Sequence, residues 1–112
     1  MSTPYRIVFC TCPDAESASR LAYGLVENRL AACVNQVPGL TSVYSWQGQI
    51  ETAGEVLLII KTRADRLAEL TAFIQARHPY ELPEIVAVSV EQGSLAYLDW
   101  IGAWLDSSSC SS

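Results

Sequence analysis

The chain has 112 residues, a length that suits one domain, and half of its residues are hydrophobic. The net charge is −5 and the seven basic residues form no run, which argues against a nucleic-acid-binding protein because phosphate binding depends on clustered Lys and Arg. No apolar stretch is long enough to span a bilayer, and residues 1–6 carry no secretory pattern. We therefore expect one domain over 1–112 with a flexible tail at about 107–112, located in the cytoplasm with reduced cysteines.

Strand and helix patterns alternate in the first part of the chain. Residues 5–12 are rich in β-branched and aromatic side chains and stop at Pro13, which predicts a strand. Asp14 is a suitable helix N-cap, and apolar residues recur at helical spacing to residue 30. The sequence therefore predicts a helix over 14–30.

Strand-like sequence follows at 31–37 and resumes at 41–46. Pro38-Gly39 between these segments predicts a bend or bulge, and Gln47-Gly48 predicts a hairpin turn. A third, long strand is expected to end in the aliphatic run at 55–62.

Two more helices and a fourth strand complete the pattern. Thr62 and Asp65 fit a capping box before a second helix, which ends at His78-Pro79 because proline cannot continue it. Residues 84–90 predict the last strand, and Ser94 is a candidate cap for a terminal helix.

The element order predicts an α+β, ferredoxin-like βαββαβ sandwich with an antiparallel four-stranded sheet, a long β2–β3 hairpin and an extra C-terminal helix. The runs 56–60 and 85–88 place aliphatic side chains on both faces of the sheet, whereas a sheet with one wet face should alternate apolar and polar residues. Since the two main helices cover one face, we expect other copies of the chain to cover the other.

Cysteine and histidine residues suggest metal chemistry. Cys10 and Cys12 alternate on one strand, so both sulfurs face the same way, and two thiolates are suitable ligands for Cu(I). The competing interpretation is that Cys10 is a small buried hydrophobe. Cys33 and the single histidine, His78, are further soft ligands, but strand three should separate Cys33 from Cys10 by about 9–10 Å. A Cys–His nucleophile lacks an oxyanion loop, so we predict no catalytic residues and no enzyme.

Lys61 is the only lysine and stands at the end of an apolar strand, where it either reaches the rim or anchors an anion. Aromatic residues with a few polar groups are typical of small-ligand clefts and equally of subunit interfaces. Both alternatives remain open for one candidate cleft, comprising Tyr44, Trp46, Glu55, Lys61, Tyr80, Glu84 and Trp100.

Several sequence blocks together resemble the CutA family of divalent-cation tolerance proteins. They occur in the family's order and span about residues 5–105: Leu30 to Asn35 followed by Pro38-Gly39, Ser45 to Gly48, Leu57 to Thr62, His78 to Ile85, and Tyr97 to Trp100. The resemblance implies a ferredoxin-like subunit, a tight homotrimer, a cytoplasmic setting in bacteria and a link to copper tolerance. It also implies likeness to PII signalling trimers, whose inter-subunit clefts bind small effectors.

The resemblance also implies a metal site made of Cys10, Cys33 and His78. The chain departs from the family at Arg77, where some members have a second histidine, and at Gly54. Two hypotheses follow: a non-enzymatic trimer that binds copper (Cu²⁺) or a similar divalent metal ion and needs no cofactor to fold, or a PII-like module that binds a small anionic effector.

Overall fold

The computed structural model describes residues 2–107, so most of the predicted tail, 108–112, lies outside the described residues. Four strands, three α-helices and a single 3-10 turn (Ala64–Arg66) form within this range. The strands are β1 (Tyr5–Cys12), β2 (Cys33–Trp46), β3 (Gln49–Arg63) and β4 (Val86–Ser89), and the helices are α1 (Ala15–Glu27), α2 (Leu67–Arg77) and α3 (Leu95–Asp106).

The strands form one antiparallel sheet in the order β2-β3-β1-β4. β2 and β3 make the long hairpin, and the register shifts between Val37 and Leu40, where Gly39 has φ +80°. The predicted ferredoxin-like α+β sandwich, its hairpin and the bulge at Pro38-Gly39 are confirmed.

The main core lies between the sheet and helices α1 and α2. Alternation along β1 directs Val8, Cys10 and Cys12 into this core, and β3 contributes its even-numbered aliphatic residues from Val56 to Ile60. The core therefore uses one face of the sheet, and both cysteines of β1 are part of it.

The opposite face, here called the helix-free face, carries Ile7 and Phe9 of β1, which lie beside Val88 and Val86 of β4. Val86 and Val88 are 51% and 42% exposed in the single chain. α1 and α2 do not contact this face, and α3 covers only one end of it, where it packs on a smaller cluster with Ala32, Tyr5 and Val90 and leaves Val86 and Val88 uncovered. The predicted partner for this face stays a prediction.

Three local predictions need correction. α1 ends at Glu27 and not at residue 30, because Arg29 takes a left-handed conformation (φ 59°) that reverses the chain. β2 begins at Cys33, and β4 is shorter than the predicted 84–90.

The capping box is also wrong, because the Thr62 hydroxyl donates to the Leu30 carbonyl and Asp65 pairs with Arg63. The caps at Asp14 and Ser94, and the stop of α2 before Pro79, are confirmed.

Candidate metal centre

Two cysteines of β1 lie side by side beneath the helices. Cys10 and Cys12 are separated by one residue of extended chain, so their side chains leave the same face of the sheet. Both are 0% exposed. Their Sγ atoms and one ring nitrogen of His78 all lie within 4.8 Å of one another. This is the only grouping of three or more His, Cys, Asp or Glu ligand atoms that residues 2–107 bring so close.

His78 lies in this cluster because α2 ends beside the two cysteines. It is the C-cap of that helix, with extended backbone, and is followed by Pro79. Its Nε2 is 2.7 Å from the Thr11 carbonyl oxygen, and its Nδ1 accepts from the Tyr80 backbone N–H at 3.0 Å. These two partners define a neutral imidazole with the proton on Nε2.

The donor set fits a soft metal ion, with one condition. Two thiolates and an imidazole are ligands that Cu(I), Cu(II) and Zn(II) accept. Both nitrogens of His78 are already hydrogen-bonded, however, so ligation would leave the Thr11 carbonyl or the Tyr80 N–H without its partner. An unsatisfied buried polar group costs about 1–3 kcal/mol. The sulfurs therefore have the better access to an ion.

The thiols are coupled to each other. Their interaction lowers the pKa of Cys12 and raises the pKa of Cys10, whose thiol donates to the Thr11 carbonyl at 3.9 Å. Burial and the negative charges of Glu84 and Glu55 raise the pKa of Cys10 further. Burial and neighbouring negative charge therefore disfavour a second negative charge on this pair of sulfurs.

Tyr80 closes the cluster on the side of the α2–β4 connection. Its ring centroid lies 4.9 Å from that of His78, and its hydroxyl donates to Glu55 Oε2 at 2.9 Å. Burial and then the bond to Glu55 raise the pKa of Tyr80 to about 12. Tyr80 therefore stays a neutral donor at physiological pH, and it ties the connection to β3.

Cys33 lies apart from the other predicted metal ligands. It pairs with Lys61 on β3, whereas Cys10 pairs with Leu58. The Lys61 Nζ is 3.9 Å from the Cys33 Sγ and also donates to Asn35. Alternation places this group on the helix-free face, with β3 between it and β1. The structure thus brings Cys10 and His78 together but keeps Cys33 away from them.

The residues of the candidate cleft are dispersed. Glu55 and Tyr80 are in contact, and Tyr44 is near enough to Tyr80 to affect its pKa. Glu84 lies toward Cys10, while Trp46 is at the end of β2, 56% exposed. Lys61 and Trp100 lie elsewhere: Lys61 is six residues, about 20 Å, along β3 from Glu55, and Trp100 stacks on Tyr97 of α3 at 5.6 Å.

Cys12 is the cluster member that sequence reasoning left out of its site. The signal was present, because the alternation of a strand places Cys10 and Cys12 on one face. What the sequence could not provide was the approach of His78 to Thr11, which lies 67 positions earlier.

The fold and this cluster define a class: small α+β proteins with a βαββαβ core and a cysteine–histidine group under the helices. Comparison with known proteins makes the assignment specific. Residues 6–103 match the model of the CutA1 divalent ion tolerance protein family, and the chain belongs to that family.

Relatives and solved structures agree. The chain is 48% identical over 95 residues to the divalent-cation tolerance protein CutA of Thermus thermophilus, covering 85% of this chain and 92% of the relative. It is 48% identical over 93 residues to the human protein CutA, covering 83% of this chain and 52% of that protein. The crystal structure of CutA from Xylella fastidiosa superposes with a TM-score of 0.91 at 46% identity, covering 93% of this chain and 100% of the other.

Two further findings concern the length of the relatives and the possibility of a membrane-spanning helix. The chain spans about half to three-fifths of the length of several curated eukaryotic relatives, 52% of the human and 62% of the Xenopus laevis protein. Within residues 2–107, every helix is too short or too polar to cross a bilayer.

Proposed function

We propose that this protein is a non-enzymatic, homotrimeric divalent-cation tolerance protein that binds copper or a similar divalent metal ion and contributes to the metal-ion response. The observation that carries the proposal is the buried cluster of two sulfurs and an imidazole nitrogen within 4.8 Å. Buried side chains of this kind, gathered from β1 and the end of α2, offer a soft donor set in a region that excludes water. Membership of a family described by divalent ion tolerance supports the same conclusion.

Cys10 and His78 are proposed metal residues, now together with Cys12. Cys33 belongs to the proposal only as a ligand offered to a second chain, because within one chain it faces the other side of the sheet. The thiols must be reduced to serve as ligands, so a cytoplasmic setting is part of the proposal.

The homotrimer is proposed from the helix-free face. Phe9 and Ile59 are only partly buried there, and Val86 and Val88 are exposed, so the single chain leaves an aliphatic surface in water. Apolar residues at the hairpin end are also exposed, including Ile50 at 75% exposure. Contiguous apolar patches of this kind mark interaction sites in soluble proteins.

The test is an equilibrium titration of metal-free protein with copper and with zinc against a competing chelator. We expect one ion per chain, with affinity at least about 10-fold weaker in His78→Ala, because even a group that only supports a ligand contributes about 10- to 100-fold. A wild-type protein that binds no ion in the micromolar range would overturn the proposed function. Equal affinity in wild type, His78→Ala and Cys10→Ala would move the site away from this cluster.

A second candidate function is a PII-like module that binds a small anionic effector. The observation in its favour is Lys61, whose ammonium group lies on the helix-free face beside Cys33 and Asn35. A partly buried cation on an apolar surface is a suitable anchor for an anion between subunits.

A thermal-shift screen of nucleotides and carboxylate metabolites tests this function. A ligand at 100 times its Kd stabilises the native state by about 2.7 kcal/mol, which raises the melting temperature. The shift should disappear in Lys61→Ala. A screen with no stabilising anion, or with shifts that survive Lys61→Ala, would argue against this function.

A further inference from the structure

We propose that Cys10 and Cys12 form a two-thiolate site for a monovalent, thiophilic cation of the Cu(I) class, with His78 as a positioning residue and not a ligand. This inference rests on the copper-binding part of the proposed function. It changes the charge of the bound ion from divalent to monovalent and names the two atoms that hold it. It also assigns Cys12, and excludes Cys33, as a ligand within one chain.

The first argument is the spacing of the sulfurs. Cys10 and Cys12 lie on the same face of a regular strand, with Sγ atoms no more than 4.8 Å apart. Metal–sulfur bonds of about 2.3 Å span at most about 4.6 Å when the two bonds are collinear. The separation of the sulfurs is therefore close to what two metal–sulfur bonds can span, with a nearly linear S–metal–S arrangement at about 4.6 Å and a bent one when the sulfurs are closer.

The second argument is the number of ligands. Structural Zn²⁺ sites almost always have four ligands, and soft thiolates select Cu(I). Among residues 2–107 the cluster offers only Cys10, Cys12 and His78. Because both cysteines are 0% exposed, water cannot complete a four-coordinate shell without opening the core. A low-coordinate ion is the one that this site can accommodate as it stands.

The third argument concerns His78. Its two ring nitrogens are engaged by the Thr11 carbonyl at 2.7 Å and by the Tyr80 N–H at 3.0 Å. Thr11 is the residue between the two cysteines, so the imidazole holds the backbone segment that presents both sulfurs. Metal sites depend on outer groups of this kind to orient their ligands.

The fourth argument excludes Cys33. It lies across β3 from β1 and points to the helix-free face, where its neighbour is the ammonium group of Lys61 at 3.9 Å. A metal ion bound at Cys33 would be repelled by the positive charge of Lys61. Cys33→Ser therefore provides a matched control, a cysteine of the same chain removed from the opposite face of the sheet.

The experiment is an anaerobic competition titration with Cu(I) and a Cu(I) chelator, using reduced full-length protein. We expect one Cu(I) per chain, with affinity lowered at least about 100-fold in Cys10→Ser and Cys12→Ser, beyond the range typical of a group that only supports a ligand. Cys33→Ser and Cys110→Ser should match the wild type. Cys10→Ala and Cys12→Ala, checked for native circular dichroism, separate loss of a ligand from loss of the fold.

X-ray absorption at the copper edge supplies the readout for His78. The wild type should give two sulfur neighbours and no imidazole scattering. His78→Gln, whose amide can still donate to the Thr11 carbonyl, should keep the two-sulfur spectrum while the affinity falls by about 10- to 100-fold.

Three results would overturn the inference. Imidazole scattering in the wild type would make His78 a ligand. Cu(I) binding that is unchanged by the cysteine variants, or lost in Cys33→Ser, would move the site. Binding of Cu(II) or Zn(II) at Cys10 and Cys12 without Cu(I) would reject the charge class but leave the proposed function standing, whereas binding of no ion would reject both.

Discussion

Thr62 has a role that depends on a contact far along the chain. Its hydroxyl is fully buried and donates to the Leu30 carbonyl oxygen at 2.6 Å, across 32 positions. The bond satisfies a carbonyl in the segment where α1 ends and β2 has not yet begun. Thr62 thus fastens the α1–β2 connection to the end of β3.

Replacing Thr62 with Val should destabilise the protein by about 1–3 kcal/mol, because the shape is kept while the buried carbonyl loses its donor. Urea unfolding measures the change. Thr41→Val, on the exposed part of β2, is the matched control and should change stability by no more than about 0.5 kcal/mol. Equal stabilities of the two variants would refute this role for Thr62.

The same residue marks what the sequence could and could not predict. Thr62 and Asp65 have the spacing of a capping box, but a local pattern cannot register that Leu30 presents a carbonyl to the Thr62 hydroxyl. The candidate site has the same limit. The alternation of β1 paired Cys10 with Cys12 in advance, whereas the position of His78 depends on how α2 ends against the sheet.

Elements were predicted well where periodicity governs them and less well at their ends. The apolar spacing of α1 and its Asp14 cap are properties of the sequence itself, and both are confirmed. The predicted end of α1 at residue 30 is wrong, because Arg29 adopts a left-handed conformation that its residue type does not favour. Packing provides a reason: the Arg29 guanidinium lies 3.5 Å from the Trp104 ring centroid, and the Trp104 indole donates to the Val26 carbonyl.

α3 is held to the body by an ion pair as well as by its apolar face. Arg63 at the end of β3 pairs with Asp106 at 2.6 Å, and Asp65 also contacts Arg63. The hydrogen bond from Arg63 lowers the pKa of Asp106 below its ordinary value of 3.8. A carboxyl with a lowered pKa in the folded state stabilises the protein above the unfolded pKa, and that contribution is lost as the pH falls through the folded one.

We therefore expect Asp106→Asn to be slightly less stable than the wild type at neutral pH and to lose part of the wild type's acid sensitivity below about pH 4. Thermal unfolding followed between pH 2 and 7, about the range in which carboxyls titrate, measures both effects. Asp99→Asn, an exposed change on the same helix, should leave the profile unaltered. Parallel profiles for wild type and Asp106→Asn would show that the pair adds nothing.

At the scale of the whole molecule, the sheet has one face filled by its own helices and one that is not. Aliphatic residues on both sides of β3 and β4 were the signal for this in the sequence, and in the single chain Val86 and Val88 remain exposed. The sequence predicted the fold and the existence of an unfilled face. The identity of the partner depends on contacts between chains, which one chain cannot display.

If copies of the chain cover this face, Val88→Asp should convert a trimer into single chains, because a buried carboxylate without a partner is strongly unfavourable. Sedimentation velocity at micromolar concentration measures the assembly. Leu82→Asp, at an 84% exposed position of the α2–β4 connection, is the control and should leave the assembly intact. A wild type that sediments as a folded single chain would reject the trimer.

The complete burial of Cys10 and Cys12 has a kinetic consequence. A reagent or ion can reach these sulfurs only after the α2–β4 connection, which Tyr80 and His78 hold in place, opens locally. The rate of access is therefore limited by the opening rate of the protein and not by the reagent. In a background of Cys33→Ser and Cys110→Ser, mass spectrometry should find Cys10 and Cys12 alkylated slowly. Their alkylation rate should level off as reagent is added, and that plateau is the frequency at which the core opens.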